Sequence, residues 1–337
     1  MKLLQLIFFI TWANLAWTQK LPFDFEAKGL LILSDADMVA SAYIDGVLNT
    51  DPKVVDALTV VQWDTLASGI HCQELQVPNS VTNWVNGMDI TEDGQTAFVI
   101  DTKGSLPRSM QKVKNVFEDL PNGNMLYAID LSDLQRPVLL DQIRVGQNPL
   151  SVDVNPQTGE LLVVNREKGN EINMVTWEGQ QFGEIRSEAL SGEERVATHG
   201  SWHPSGNYFG LTLEPTMEVA FYEVSATAIA PFGVAVKAGS YPGAASFSKN
   251  GRYYLVPDLK WDQSYATKGA LIAVKFAPDG QHTLTSTVEV GISPEGFAIS
   301  PNGKLIAVSN MGTNFMPMDF PLFGQKASIT LLAFDEE

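Results

Sequence analysis

Cysteine is almost missing from this chain. Cys72 is the only one, so no disulfide can form within it. Cys72 lies in His71-Cys-Gln-Glu-Leu-Gln-Val77, which alternates like an outer strand and predicts an inert core thiol. No cysteine stands where a lipid could be attached behind the N-terminal segment, and no Asn-x-Ser/Thr sequon occurs. Bases are scarce too: 22 Lys and Arg face 39 Asp and Glu, a formal charge of −17. A chain of that sign repels phosphate backbones and anionic lipid, which excludes nucleic-acid binding. The catalytic signatures His-Glu-x-x-His and Gly-x-Ser-x-Gly, a phosphate-binding Gly-Lys loop and paired metal cysteines are all absent.

Long apolar runs are confined to the N-terminus. Lys2 precedes an apolar run from Leu3 to Ile10, with small or polar residues around Ala16 to Gln19. That run is too short to cross a bilayer, which takes about 20 residues, and it has the layout of an export signal. Residues 1–19 are therefore expected to be a signal peptide. Residues 20–337 are expected to form one exported domain, secreted or periplasmic, monomeric and without a membrane span.

What the chain does have is repetition. The clearest copy is Glu295-Gly-Phe-Ala-Ile-Ser-Pro-Asn-Gly-Lys-Leu-Ile-Ala-Val-Ser-Asn310: an apolar run, a Gly turn, a second apolar run, then a polar residue. Turn glycines at 94, 159, 206, 251 and 303 recur at intervals of 65, 47, 45 and 52 residues. Four-stranded propeller blades repeat at about 40–50 residues. A third apolar element follows each hairpin: Ala57–Trp63, Asn124–Asp130, Glu171–Trp177, Met217–Tyr222, Gly269–Lys275 and Ala327–Ala333. Fourth strands such as Val138–Val145 and Thr283–Val290 complete blades. The prediction is an all-β propeller of six four-stranded blades, with seven as the alternative. In its first blade, Gly29–Leu33 would be the inner strand, Ala40–Asp45 the second and Ala57–Trp63 the third. The last blade stops at its third strand, and residues 21–27 would supply the missing one by circular closure.

The register of the repeats selects candidate site residues. Each second strand ends on an oxygen- or nitrogen-bearing side chain: Asp45, Asp101, Asn165, Glu214, Asp258 and Asn310. Together they would ring the channel mouth as donors for a ligand, and Asp101, Glu214 and Asp258 would suit Ca²⁺. The competing reading is that Asp and Asn end strands because they cap turns. Seven residues before the turn glycine stand Gly87, Ala244 and Gly296, with Ser151 equivalent, yet the fourth blade has His199 there. His199 should project into the channel, with Glu214 as its acid–base partner. Arg166 would offer a cation to an anionic ligand. The second-to-third links are the long ones, with a short helix expected in Ser109–Phe117 and aromatics at Trp261, Tyr265, Phe315 and Phe323. A rigid scaffold with one elaborated face is suited to recognition.

The repeat from Pro294 to Asn310 resembles the YVTN-type β-propeller repeat and the lactonase propellers of the 6-phosphogluconolactonase and carboxymuconate-cyclase group. The copy around His199, His203-Pro-Ser-Gly206 and Glu214 matches the lactonase group best. It departs from that group in three places. The group has an arginine directly before the histidine, whereas here Ala197-Thr198 intervene after Arg195. Pro149-Leu150 stands where the group has Pro-His, and the group is seven-bladed. The resemblance implies a lactone hydrolase acting on a sugar or acyl lactone, with His199 as base, Glu214 as partner or metal ligand, and Ca²⁺ as an admissible cofactor. The residues taken alone favour a propeller that binds a small ligand or a protein at its loop-rich mouth without chemistry. Both expectations stand at this point.

Overall fold

The computed structural model describes residues 27–335 apart from 28, 37, 52, 65–68, 80–85, 108 and 191–194. Strands form wherever the repeats place apolar runs, and they assemble into six antiparallel sheets. The first sheet holds β1 (Leu30–Ser34), β2 (Ala57–Asp64) and β3 (Gly69–Gln76). The second holds β4 (Met88–Ile90), β5 (Thr96–Lys103), β6 (Asn122–Asp130) and β7 (Val138–Arg144). The third holds β8 (Pro149–Val154), β9 (Leu161–Asn165), β10 (Ile172–Glu178) and β11 (Gln181–Glu188). The fourth holds β12 (Val196–Trp202), β13 (Tyr208–Glu214), β14 (Glu218–Val224) and β15 (Ile229–Lys237). The fifth holds β16 (Ser246–Phe247), β17 (Tyr253–Asp258), β18 (Lys268–Lys275) and β19 (Thr283–Ile292). The sixth holds β20 (Pro294–Ile299), β21 (Leu305–Asn310) and β22 (Ser328–Ala333). This is a six-bladed propeller. All five turn glycines, Gly94, Gly159, Gly206, Gly251 and Gly303, take φ between 71° and 77°, the left-handed region their repeat requires.

Cohesion lies between the blades. Second strands such as β5 and β9 are buried on both faces, so the blades they belong to press apolar side chains on their neighbours. Phe98 and Ile100 meet Val152 and Leu161; Leu162 and Met174 meet Trp202 and Phe209; Val219 and Phe221 meet Phe247 and Tyr254. At about 25 cal/mol per Å² of apolar surface, these contacts dominate the stabilising terms. Among the described residues, no core cluster joins the sixth blade to the first. The closing strand expected from residues 21–27 lies, except for Ala27, outside the described residues, as does the signal over 1–19.

Three local expectations are corrected. β1 pairs directly with β2, and Ala42–Asp45 is a helix, α1, so Asp45 does not end a second strand. Its carboxylate accepts from the Val47 amide and caps the following turn. The stretch Ala42-Tyr-Ile-Asp-Gly46 winds because Gly46 can close it in the left-handed region, at φ 69°. The helix expected in Ser109–Phe117 shrinks to α2 (Val116–Asp119), since Val47 and Lys112 form a β-bridge between the two loops. Together α1, α2 and their flanks form a cap with a small core of its own, including Met38, Leu48, Val113 and Leu120. Cys72 is exposed on β3 and not a core thiol, because that strand is an outer edge.

The polar residues that end second strands share a structural task. Asn165 Nδ2 donates to the Val145 carbonyl at 3.0 Å. Asp258 Oδ1 accepts from the Ser240 and Tyr241 amides at 3.2 and 2.8 Å. Asn310 Oδ1 accepts from the Gly291 amide at 2.9 Å. Each fastens the crossover that enters its own blade. A glycine stands against each clip: a Cβ at Gly146, Gly239 or Gly291 would lie 2.5–2.8 Å from the clipping side chain. Gly239 also has φ 94°. Gly239→Ala should therefore cost about 2–4 kcal/mol, from backbone strain plus displacement of Asp258. Gly94→Ala, with equally left-handed φ but nothing within 4 Å, should cost only about 1 kcal/mol. Urea unfolding of the two variants checks the difference.

Candidate functional site

A cavity of about 280 Å³ opens at the mouth between the second, third and fourth blades, beside the entry to the fifth. Its floor comes from a β-bulge. The register of β12 against β13 slips between Ala197 and His199, so Thr198 is the extra residue, and both Thr198 and His199 line the cavity. The same slip between Pro149 and Ser151 exposes Leu150, another lining residue. The roof is the cap: Asn115, Phe117 and Glu118 come from α2 and its N-cap.

Cations hold that roof. Lys103, at the end of β5, is only 4% exposed. Its Nζ donates to the Phe117 carbonyl at 2.7 Å and to Asn122 Oδ1 at 3.1 Å. Burial, with the Arg166 charge second, pushes its pKa down to about 8. Arg166, just past β9, lies over the Phe117 ring at 6.0 Å and reaches Glu214 at 3.9 Å. Two cations thus converge on one small cavity in a strongly acidic chain.

Three further groups complete the wall. Glu214 ends β13; burial raises its pKa, and Arg166 opposes the rise. His199 is 3% exposed, and burial drives its pKa down to about 3, so the imidazole is neutral. Its Nδ1 lies 3.3 Å from Thr198 Oγ1. Tyr241 enters from the crossover to β16; burial, then the Glu214 charge, push its hydroxyl up to about 12. Asn148, held at φ 57°, lines the cavity, and its buried amide oxygen has no hydrogen-bond partner among the described residues.

Of the residues selected from sequence, the cavity brings together Arg166, His199 and Glu214. Asn165, Asp258 and Asn310 serve as clips, and Asp101 is buried against Gly123. Among the described residues no group of three or more His, Cys, Asp or Glu side chains is arranged to hold a metal ion. Sequence reasoning missed Lys103, Asn148 and Tyr241. Two of these carry a legible signal: Val145-Gly-Gln-Asn-Pro149, Ala238-Gly-Ser-Tyr-Pro242 and Val290-Gly-Ile-Ser-Pro294 share Gly-x-x-Pro. Asn148 and Tyr241 both stand just before the proline.

A second acidic feature lies on the inner strands. Asp89 Oδ2 accepts from the Val154 amide at 2.7 Å and Asp153 Oδ2 from the Trp202 amide at 2.6 Å, each tying one blade to the next. Burial raises both, Asp89 to about 6, and the Asp89 charge raises Asp153 further. Their amide bonds give both carboxyls a structural role.

No family model matches this sequence, and no curated protein matches it. Solved structures do. A candidate 6-phosphogluconolactonase from Bacteroides uniformis superposes with TM-score 0.59 at 13% identity, covering 92% of this chain and 80% of that one. The Cps50 (Swd1) propeller domain of Myceliophteria thermophila gives 0.52 at 14% identity, covering 83% and 82%. Hydrazine synthase of Kuenenia stuttgartiensis gives 0.51 at 15% identity, covering 78% and 66%. Three proteins so differently named share this architecture, so the likeness is one of fold.

The buried Lys103 makes the site visible to pH. Between pH 8 and 10.5 the unfolded chain binds a proton that the folded chain has released, so folding stability rises with pH there. The full difference amounts to about 3 kcal/mol. Lys103→Met should remove this rise, and unfolding titrations of both proteins at pH 8 and 10.5 measure it.

Proposed function

We propose that this propeller binds a small anionic ligand in the mouth cavity and opens its lactone ring by hydrolysis. The observation that carries the reading is the convergence of Lys103 and Arg166 on a cavity that also holds Glu214 and His199. The cations would attract the acid group of the ligand, and about 280 Å³ admits one ring-sized molecule. The fold likeness to lactonase-type propellers supports the same chemistry at the level of architecture. Burial moves the base role away from His199: an imidazole with pKa about 3 takes no proton at neutral pH. Glu214, raised by burial and still half-buried rather than sealed, is the better matched base, with His199 as a neutral orienting group. The N-terminal pattern of Lys2 and Leu3–Ile10 supports export, and with it an activity in the periplasm or the medium. No helix among the described residues is long and apolar enough to cross a membrane.

Capture without turnover is the second reading, favoured by the same neutral His199. Ring opening of a panel of lactones that carry a free carboxylate or phosphate, beside neutral aldonolactones and acyl lactones, followed by pH-stat with and without Ca²⁺, separates the two. Glu214→Gln should lower kcat by about 10²–10³-fold, and His199→Ala by less. Silence of the native protein across the panel, with open-chain hydroxy acids still binding in calorimetry, would leave capture as the function.

A further inference from the structure

Tyr241 is held in place through both its backbone and its ring. Its amide donates to Asp258 Oδ1 at 2.8 Å, and its carbonyl accepts from the Leu259 amide at 2.9 Å. The next residue, Pro242, bridges Asp258, and Gly243 donates to the Pro257 carbonyl at 2.7 Å. The phenol ring packs on Trp261 with centroids 5.6 Å apart, and Trp261 is itself fixed through Nε1 to Ser293 Oγ at 2.9 Å. Backbone and ring are thus pinned, and the hydroxyl is left at the cavity wall. Among the described residues it has no hydrogen-bond partner, although Glu214 and Arg166 both act on it electrostatically. An unengaged donor on a rigid mount, lining the same small cavity as the base, is an arrangement that can stabilise charge developing on a substrate oxygen.

We infer that Tyr241 donates its O–H to the carbonyl oxygen of the bound lactone and stabilises the oxyanion that forms there. The inference rests on the hydrolytic reading above. A water oxygen adds to the carbonyl carbon and its proton passes to the Glu214 carboxylate. The carbonyl oxygen becomes the oxyanion held by Tyr241. The ring C–O bond then breaks as Glu214 returns the proton to the departing ring oxygen, so lactone and water give one hydroxy acid. Asp258 acts through Tyr241 as a positioning residue.

Tyr241→Phe removes one oxygen and keeps the ring on Trp261. With glucaro-1,4-lactone, which keeps one free carboxylate for the cations, as the probe, its kcat should fall about 10–100-fold while KM stays within about threefold. Calorimetric affinity for glucarate should also stay within about threefold, and the thermal midpoint should match the native protein. Tyr208→Phe, the same change where the hydroxyl bonds Glu223 on the blade's outer surface, should leave kcat unchanged. If Tyr241→Phe keeps native kcat while Glu214→Gln loses it, the role of Tyr241 is overturned and the hydrolytic reading stands. A rise in KM at native kcat likewise overturns it. If the native protein itself turns over no lactone, the hydrolytic reading fails and the Tyr241 step fails with it.

Discussion

The mouth of this propeller depends on one interaction: an Asp or Asn at the end of a second strand fastening the crossover that enters the same blade. Asn165, Asp258 and Asn310 do this in three blades, each against a glycine that lets the side chain approach. A crossover is a loop at the top of a narrow channel, where unpaired backbone groups would be costly. A charged acceptor such as Asp258, taking two amides, contributes on the order of 1.5–3 kcal/mol for each bond. The apolar faces between blades supply more stabilisation in total, but they do not fix where a loop residue points. The clips do. They convert a generic stack of sheets into a scaffold with an aimed rim.

The site grows out of departures from that common plan. Bulges at the start of β8 and β12 turn Leu150 and Thr198 into the cavity, and the small slot of the repeat is occupied by His199. The cap is the second departure. Its small apolar core binds two loops into one body, and Lys103 and Arg166 tether that body from below through Phe117. Lys103 is therefore both the fastening of the roof and part of the electrostatics beneath it. Burying a lysine without a carboxylate is costly to folding, which is why the group loses its proton more readily than a surface lysine.

The architecture was legible because its signal is periodic. Turn glycines recur five times and third apolar elements six, and each copy corroborates the others. The first blade misled because its Gly turn is gone: without that marker, Ala40–Asp45 read as a strand, while the Ala-rich stretch before Gly46 winds into α1. The candidate site was legible in part. His199, Glu214 and Arg166 stand out against their own repeats. Lys103 does not, since a lysine ending a strand reads as a solvated tip, and its burial depends on a cap folded from a distant segment. Asn148 and Tyr241 were readable in principle from the Gly-x-x-Pro crossovers, a repeat hidden behind the louder hairpin signal. Conversely, Asn165, Glu214, Asp258 and Asn310 do end second strands as expected, and nearby backbone amides and carbonyls take three of those side chains, those of Asn165, Asp258 and Asn310.

If the clips aim the mouth, amide hydrogen exchange at the crossover into the fifth blade should report it. In the native protein the Ser240 and Tyr241 amides, both held by Asp258, should exchange slowly despite lying in a loop. In Asp258→Ala those two amides should lose protection, while the β17 and β18 ladder amides keep theirs. Unchanged protection at Ser240 and Tyr241 in that variant would contradict the account.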